Sequence, residues 1–374
     1  MSKDTRNVPA LRFKGFSDAW EKRCLKEILS VNSGRDYKHL LPGKVPVYGT
    51  GGYMLSVNEA LSHSDAIGIG RKGTIDRPFF LKAPFWTVDT LFFLTVKKEM
   101  VLSFVFPLLQ TIRWKQLDES TGVPSLSKKT IESIMVHVPQ KEEQQIIGNT
   151  FILIDNLIAA TQDKLDSIEK IKKALLQHLF DQSMRFKGYS DPWEKRKFGE
   201  LYSKTSEKND GSFGPDKIIS VATMSWKTNV RISNEGYLAT YNVLRKGDIA
   251  FEGNRSKKFS FGRFVENDIG DGIVSHVFVV FRPKVPPVIS YWKYFIHNEF
   301  VMRNILRKST IKATMMTNLS SHDFLRQTLC TPSFKEQENI GNFLERLDSL
   351  IAATQSKLSS LETLKKALLQ GLFI

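Results

Sequence analysis

Apolar residues along the chain follow two different rhythms. Across residues 142–180 they recur in steps built from threes and fours, at Ile147, Phe151, Ile154, Ile158, Leu165, Ile168, Leu175 and Leu179. Residues 335–373 repeat the series at Ile340, Leu344, Leu347, Ile351, Leu358, Leu361, Leu368 and Leu372. A mean period of about 3.5 predicts a coiled-coil seam, and each helix would run about 60 Å at ~1.5 Å per residue. Outside these stretches the pattern changes. Over about 24–138 and 197–332, strand-like runs such as Val277-Phe-Val-Val-Phe281 alternate with glycine-rich turns such as Gly49-Thr-Gly-Gly52 and with helical stretches such as residues 290–306. Each block is expected to form a compact mixed α/β domain.

The two helices are copies of one another. Aligned at an offset of 193, residues 142–180 and 335–373 are identical at 24 of 39 positions. A shorter border, Arg12-Phe-Lys-Gly-Phe-Ser-Asp-Ala-Trp-Glu-Lys-Arg23, returns at an offset of 173 as Arg185-Phe-Lys-Gly-Tyr-Ser-Asp-Pro-Trp-Glu-Lys-Arg196, with ten of twelve positions identical. Borders repeat while interiors diverge, which suggests one duplicated chassis carrying two different inserts. The seam is interrupted identically in both copies, by Thr161 and Lys172 and by Thr354 and Lys365. Polar seam positions fix register and partner, so the helices are expected to pair with each other. Chain order favours an antiparallel, pseudo-twofold arrangement, using Ile147, Phe151, Ile154, Ile158 and Leu165 against Leu344, Leu347, Ile351 and Leu358. Ahead of each helix, Ser127 and Ser320 are expected to cap short helices, and Pro139 and Pro332 then punctuate the chain.

Composition narrows the function. At 41% hydrophobic and 25% charged, the chain of 374 residues reads as globular. It holds no run of about 18 apolar residues and begins with a polar segment, so neither a membrane span nor a secretory signal is expected. The two cysteines, Cys24 and Cys330, are too few for a disulfide framework or a zinc site and are expected as reduced thiols in a cytoplasm. A net charge of +15 (54 basic minus 39 acidic side chains) points to a polyanionic partner.

Catalytic motifs are hard to find. Gly68-Ile-Gly-Arg-Lys-Gly73 has dinucleotide-loop spacing, but Thr74-Ile-Asp-Arg-Pro78 and the β-prone Phe79-Phe-Leu81 follow where a helix is required. Thr74 also stands where a Walker loop needs lysine. No Asp/Asn-Pro-Pro-aromatic tetrapeptide is present for amino methylation, Asp191-Pro-Trp being no substitute. The seven histidines lack ligand spacing, so no metal site is expected. A nuclease site on Asp18 and Asp36-Tyr-Lys38 is weakened because Asp191, the copy of Asp18, has no matching Asp-x-Lys beyond it.

The inserts do carry nucleic-acid contact chemistry. In the first, Tyr48, Thr50, Arg71, Lys72, Thr74 and Trp86 lie in or near predicted turns, with Lys82 and Lys115 nearby. In the second, Asn254, Arg255, Ser256, Lys257, Lys258 and Arg263 form a polar, basic loop, and His276 precedes a strand. Arginine and lysine neutralise phosphates, while Arg–guanine and Asn–adenine pairs read base edges.

In order and duplication, these motifs resemble the specificity subunit of a type I restriction–modification system, over essentially the whole chain. The first block carries Pro46-Val-Tyr-Gly-Thr-Gly-Gly52, Ile69-Gly-Arg-Lys-Gly-Thr74 and Ala83-Pro-Phe-Trp-Thr-Val-Asp89. The second carries Gly247-Asp-Ile-Ala-Phe-Glu-Gly-Asn254, Gly262-Arg263 and Val274-Ser-His276. Glu142-Glu-Gln-Gln-Ile-Ile-Gly148 and Lys335-Glu-Gln-Glu-Asn-Ile-Gly341 open the helices. The resemblance implies an α+β protein: target-recognition domains at 12–140 and 185–333, separated by two long antiparallel coiled-coil helices at 141–184 and 334–374. It implies a DNA-reading chain that binds a bipartite double-stranded site, one half per domain, with no catalysis, metal or cofactor of its own. Two modification subunits would methylate adenine with S-adenosylmethionine; restriction subunits would use ATP and Mg²⁺ to translocate and cut. Paired rigid helices would then set a fixed spacing between half-sites, about one helical turn of DNA apart. Two other readings stay open on the residues alone: a self-contained nuclease or methyltransferase with an unrecognised site, and a coiled-coil scaffold whose charge serves RNA.

Overall fold

A computed structural model describes residues 7–228, 235–312 and 316–374. The chain divides into two compact units that are discontinuous in sequence: residues 1–163 with 355–374, and residues 164–354. Each long helix contributes one half to each unit.

Both units are built on the same sheet. In the first, antiparallel strands run in the order Leu29–Ser33, Leu91–Val96, Ala66–Gly70 and Phe79–Leu81. In the second, Tyr202–Thr205, Val279–Pro283, Ile249–Glu252 and Arg263–Glu266 follow the same order. The central strands Ala66–Gly70 and Ile249–Glu252 are buried along their whole length, so neither alternates apolar with polar residues, and the second ends on the buried Glu252. Additions differ. The first unit carries a three-stranded sheet of Gly52–Val57, Pro42–Gly49 and Trp86–Thr87, while the second carries the two-stranded pairs Ile219–Ser220 with Ser225–Trp226 and Asn242–Leu244 with Gly272–Val274.

The repeated borders hold each unit closed by the same contacts. Glu21–Cys24 pairs antiparallel with Met135–Val138, and Glu194–Lys197 with Thr328–Thr331. Arg12 donates from Nε and Nη2 to the two Glu143 carboxylate oxygens, both at 2.9 Å. Arg185 does the same to Glu336 at 3.0 and 2.7 Å. Trp20 and Trp193 are buried, and the Gln144 and Gln337 amides donate to the carbonyls of Pro139 and Pro332 at 2.9 and 3.0 Å. Ser127 and Ser320 cap their short helices as expected, accepting from the amides of Thr130 and Asp323.

The long helices, Lys141–Phe180 and Phe334–Gly371, pair antiparallel within each unit. In the first unit the start of one meets the end of the other: Phe151 lies 5.8 Å from Phe373 between ring centroids, and Lys365 pairs with Asp155 at 2.7 Å. In the second, Leu179 and Phe180 cluster with Ile340 and Leu344, and Lys172 pairs with Asp348. These two ion pairs are images of each other at the offset of 193, so the lysines that interrupt the seam are its cross-helix links. The interrupting threonines are buried and donate instead to carbonyls one turn back, Thr161 to Leu157 and Thr354 to Leu350, each at 2.7 Å.

Ile147, Phe151 and Leu344 are buried in the cores of the globular domains as much as against a helix. Their turns are pressed onto the domain by glycine. A Cβ at Gly148 would stand 2.3 Å from Ser103 Oγ and 2.9 Å from the Phe104 amide, and one at Gly341 2.4 Å from Ser290 Oγ and 2.7 Å from the Tyr291 amide. Only glycine admits such approach. Of the other pairing candidates, Ile154 and Leu165 are buried, and Ile158, Leu347, Ile351 and Leu358 are half-buried.

Candidate nucleic-acid interface

The shared sheet puts the candidate residues of both units at one structural position. Strand pairing aligns Ile67–Gly70 with Ile249–Glu252, since Ile67 faces Leu94 and Ile249 faces Phe281 in equivalent neighbours. The loop after each strand, residues 71–78 and 253–262, returns into the edge strand. Both loops are pinned two residues past the strand end. Lys72 bridges to Ser125, and Asn254 bridges to Met316. Around those bridges the Leu126 amide donates to the Arg71 carbonyl, and the Thr317 amide to the Gly253 carbonyl, each at 2.9 Å. Two unlike sequences thus present side chains from the same anchored loop.

In the first unit Arg71 and Lys72 are exposed, and the Arg71 guanidinium lies 5.7 Å from the Phe92 ring centroid. The Gly49–Gly52 turn joins them: a Cβ on Gly73 would lie 3.6 Å from Thr50 Oγ1. Thr74 and Tyr48 are half-buried, and the Tyr48 ring rests against Tyr53 and Phe79. Lys115 pairs with Asp76 at 2.9 Å and holds that carboxyl below the usual carboxylate range, which fixes the far end of the loop. Trp86 takes a different place from the one expected. It is buried with Val47, Val57 and Val88, and its indole donates to the Arg35 carbonyl at 2.9 Å. A buried indole with its only donor used supports the loop rather than meeting a base.

In the second unit Asn254, Arg255, Ser256, Lys257 and Lys258 are all exposed. Ser256 Oγ accepts from the Phe259 amide at 3.0 Å, and Phe259, buried, carries Lys258 at 5.1 Å and Arg263 at 5.2 Å over its ring. Arg263 is more constrained than its candidate role implied. Its Nε donates to Glu252 at 2.5 Å and its Nη2 to the Ala222 carbonyl at 3.0 Å. His276 is exposed after the strand Gly272–Val274.

Sequence reasoning missed Tyr53 and Met54, which stand 62% and 48% exposed on the strand beside the Thr50 turn. It also missed the buried Glu252. Apolar residues on a short strand read as core until neighbouring strands are placed, and a lone glutamate gives no signal.

Glu266 is a buried acid displaced from ordinary behaviour. Both of its buried oxygens lack a partner among the described residues, and burial, reinforced by Asp268, pushes its carboxyl well up. Such a group is often catalytic, yet Glu266 sits on the edge strand at the sheet end away from the 253–262 loop. Its expected signature is on stability. The folded chain keeps a proton that the unfolded chain releases, so its contribution is full below the ordinary glutamate range and is lost as pH rises towards the folded-state value. Glu266→Gln should remove a slope of up to about 1.4 kcal/mol per pH unit. Urea midpoints of parent and variant measured from pH 5 to 8 should converge at the acid end and separate at the other; parallel curves would contradict the assignment.

Among the described residues no helix is long and apolar enough to cross a membrane, and no group of three or more histidine, cysteine or acidic residues is placed to hold a metal.

The chain's relatives bear on this geometry. The family described as the type I restriction modification DNA specificity domain matches twice, over residues 17–170 and 190–363. The specificity subunit of the type I restriction enzyme MjaVIII from Methanocaldococcus jannaschii is 24% identical over 280 residues, 68% of this chain, and the match spans 65% of that protein's length. The S subunit of a type I restriction–modification system from M. genitalium superposes with a TM-score of 0.66 at 16% identity, covering 98% of this chain and 99% of that one. The HsdS subunit from Thermoanaerobacter tengcongensis gives 0.50 at 15% identity, over 95% and 96%. The two structural likenesses bear on the fold.

Proposed function

The chain belongs to the family of type I restriction–modification DNA specificity domains, which match it twice, and we propose that it is the DNA-reading subunit of such a system. Each reading block, 12–140 and 185–333, would take one half of a bipartite double-stranded site. The observation that carries this reading is the duplicated loop: Lys72 and Asn254 occupy the same anchored position in two otherwise unlike inserts. A chassis copied faithfully while its presented residues diverge is what two independent readers require. The net charge of +15 supplies the attraction to phosphates.

The reaction would belong to partners. The chain would recruit two modification subunits, which use S-adenosylmethionine, and restriction subunits, which use ATP and Mg²⁺, in the cytoplasm. Apolar side chains on the long helices offer docking points repeated at the offset of 193: Leu157 and Leu350 are 41% and 42% exposed, Ile171 and Leu364 54% and 48%. Methylated product from the chain alone with DNA, S-adenosylmethionine and Mg²⁺ would instead favour a self-contained enzyme, and equal competition by RNA would favour a scaffold.

Mapping methylated adenines with the gene present and absent identifies the site, and duplexes carrying it then test single residues. Arg71→Ala and Arg255→Ala should each cost about 1–3 kcal/mol and relax one position if the guanidinium reads a guanine. If it neutralises a phosphate, all sequences should weaken alike and the salt slope should fall by about 1. Affinity and salt slope equal to the parent's would remove that residue from the interface.

A further inference from the structure

We propose that Glu252 is a positioning residue that holds the Asn254 carboxamide with its carbonyl oxygen outward, so that the second unit accepts a hydrogen bond from an exocyclic amino group, N6 of adenine or N4 of cytosine, at one base pair. This rests on the DNA-reading function proposed above.

Glu252 ends the central strand, 5% exposed, directly beneath the loop. Its two oxygens face two loop residues. Oε2 accepts from Arg263 Nε at 2.5 Å, and Oε1 accepts from Asn254 Nδ2 at 3.4 Å. An amide has a donor end and an acceptor end, and a carboxylate receives only the donor end. The Asn254 oxygen is thereby turned away from Glu252, towards solvent. Glu252 takes one of the two Nδ2 hydrogens; the oxygen and the second N–H stay available, an arrangement compatible with bidentate reading of adenine. What the hydrogen bond to Glu252 fixes is the outward place of the oxygen, an acceptor that matches the amino groups adenine and cytosine show in the major groove and opposes the acceptors of guanine and thymine.

The first unit gives an independent contrast. Lys72 stands at the position of Asn254, and an ammonium donates in every direction, so it needs no orienting partner. The residue at the position of Glu252 is Gly70, where a Cβ would meet the Thr74 carbonyl oxygen at 2.0 Å. The carboxylate is present where the presented group has an orientation to lose and absent where it has none.

Glu252→Gln tests this by reversing polarity. Arg263 has only donors to offer, so it holds the new amide with its oxygen on the Arg263 side and its nitrogen towards Asn254. Asn254 then has to turn its own oxygen inward and present its amino group. Full-length parent and variant are bound to a duplex library randomised across the recognised site. The parent should favour adenine or cytosine at one position of the second half-site by about tenfold, the scale of one mismatched pair. The variant should favour guanine or thymine there and leave the first half-site unchanged. An unchanged preference, or uniform weakening with no position altered, would overturn the proposal and leave DNA reading intact. Should the variant not fold, Asn254→Ala, which keeps the Glu252–Arg263 pair, must lose the same tenfold preference at that one position; retention overturns the proposal. A parent that shows no preference on any duplex would instead overturn the DNA-reading function on which this inference rests.

Discussion

Exchanging residues 24–138 for the equivalent block of another family member should rewrite one half of the recognised site and leave the other half untouched. The cut points fall in the paired border strands Glu21–Cys24 and Met135–Val138, so the exchange leaves the Arg12–Glu143 pair, Trp20 and Gln144 in the chassis. The chassis meets the insert along the paired border strands and in one shared hydrophobic core. Phe104 lies 6.0 Å from Trp20 and 5.6 Å from Phe373 between ring centroids, the Val101 amide donates to Gln144 Oε1 at 3.0 Å, and Gly148 lies flush against Ser103. An incoming block that supplies an apolar helix with an open backbone amide at this point should dock without redesign. With about 1–3 kcal/mol of discrimination per base pair, the former first half-site should fall to the level of random DNA, and methylation mapping should report a new first half joined to the old second half. Changes in both halves would contradict two independent readers.

Removing the buried arginine of either border should have the largest effect on stability. Glu143 and Glu336 are each only 2% exposed as side chains, and Arg12 and Arg185 are their paired cations at 12% and 17%. Removing one partner of such a pair leaves a charge stranded away from water, at a cost of about 3–5 kcal/mol. Arg12→Ala and Arg185→Ala should each lose that much in urea denaturation. Replacing both partners together, Arg12→Met with Glu143→Leu, should recover most of the loss, because no charge is then left to desolvate. A single-variant loss below about 1 kcal/mol would mean that water reaches the carboxylate.

The border repeat and the long helices could be read from the sequence because their causes are local. A 3.5-residue rhythm defines a helix face by itself, and a copied segment must meet equivalent surroundings twice. Lys172 and Lys365 could be recognised as seam interruptions, and the direction of pairing followed from chain order. Their partners Asp348 and Asp155, however, lie on the other helix, and choosing them required the register.

The candidate interface was less legible. Residues 71–74 and 254–258 stood out as basic or polar turns, and the structure anchors them at one shared position. That the two inserts contain one sheet was hidden, because Ala66-Ile-Gly-Ile-Gly70 and Ile249-Ala-Phe-Glu252 share burial and strand order but no residue pattern. Trp86 misled because aromatic residues serve cores and nucleic-acid surfaces equally well, and only burial separates the two uses.

The sequence alone determined the duplication, the helical rods, the basic charge and the division into repeated frame and divergent insert, all properties that periodicity and composition express within a few turns of chain. Tertiary structure alone decided that each unit borrows half of each helix, that Gly148 and Gly341 are points of contact, and that Glu252 lies under Asn254. Those facts depend on which distant segments share a wall, and side-chain chemistry stays ambiguous until its neighbours settle whether it meets water, a core or a charge.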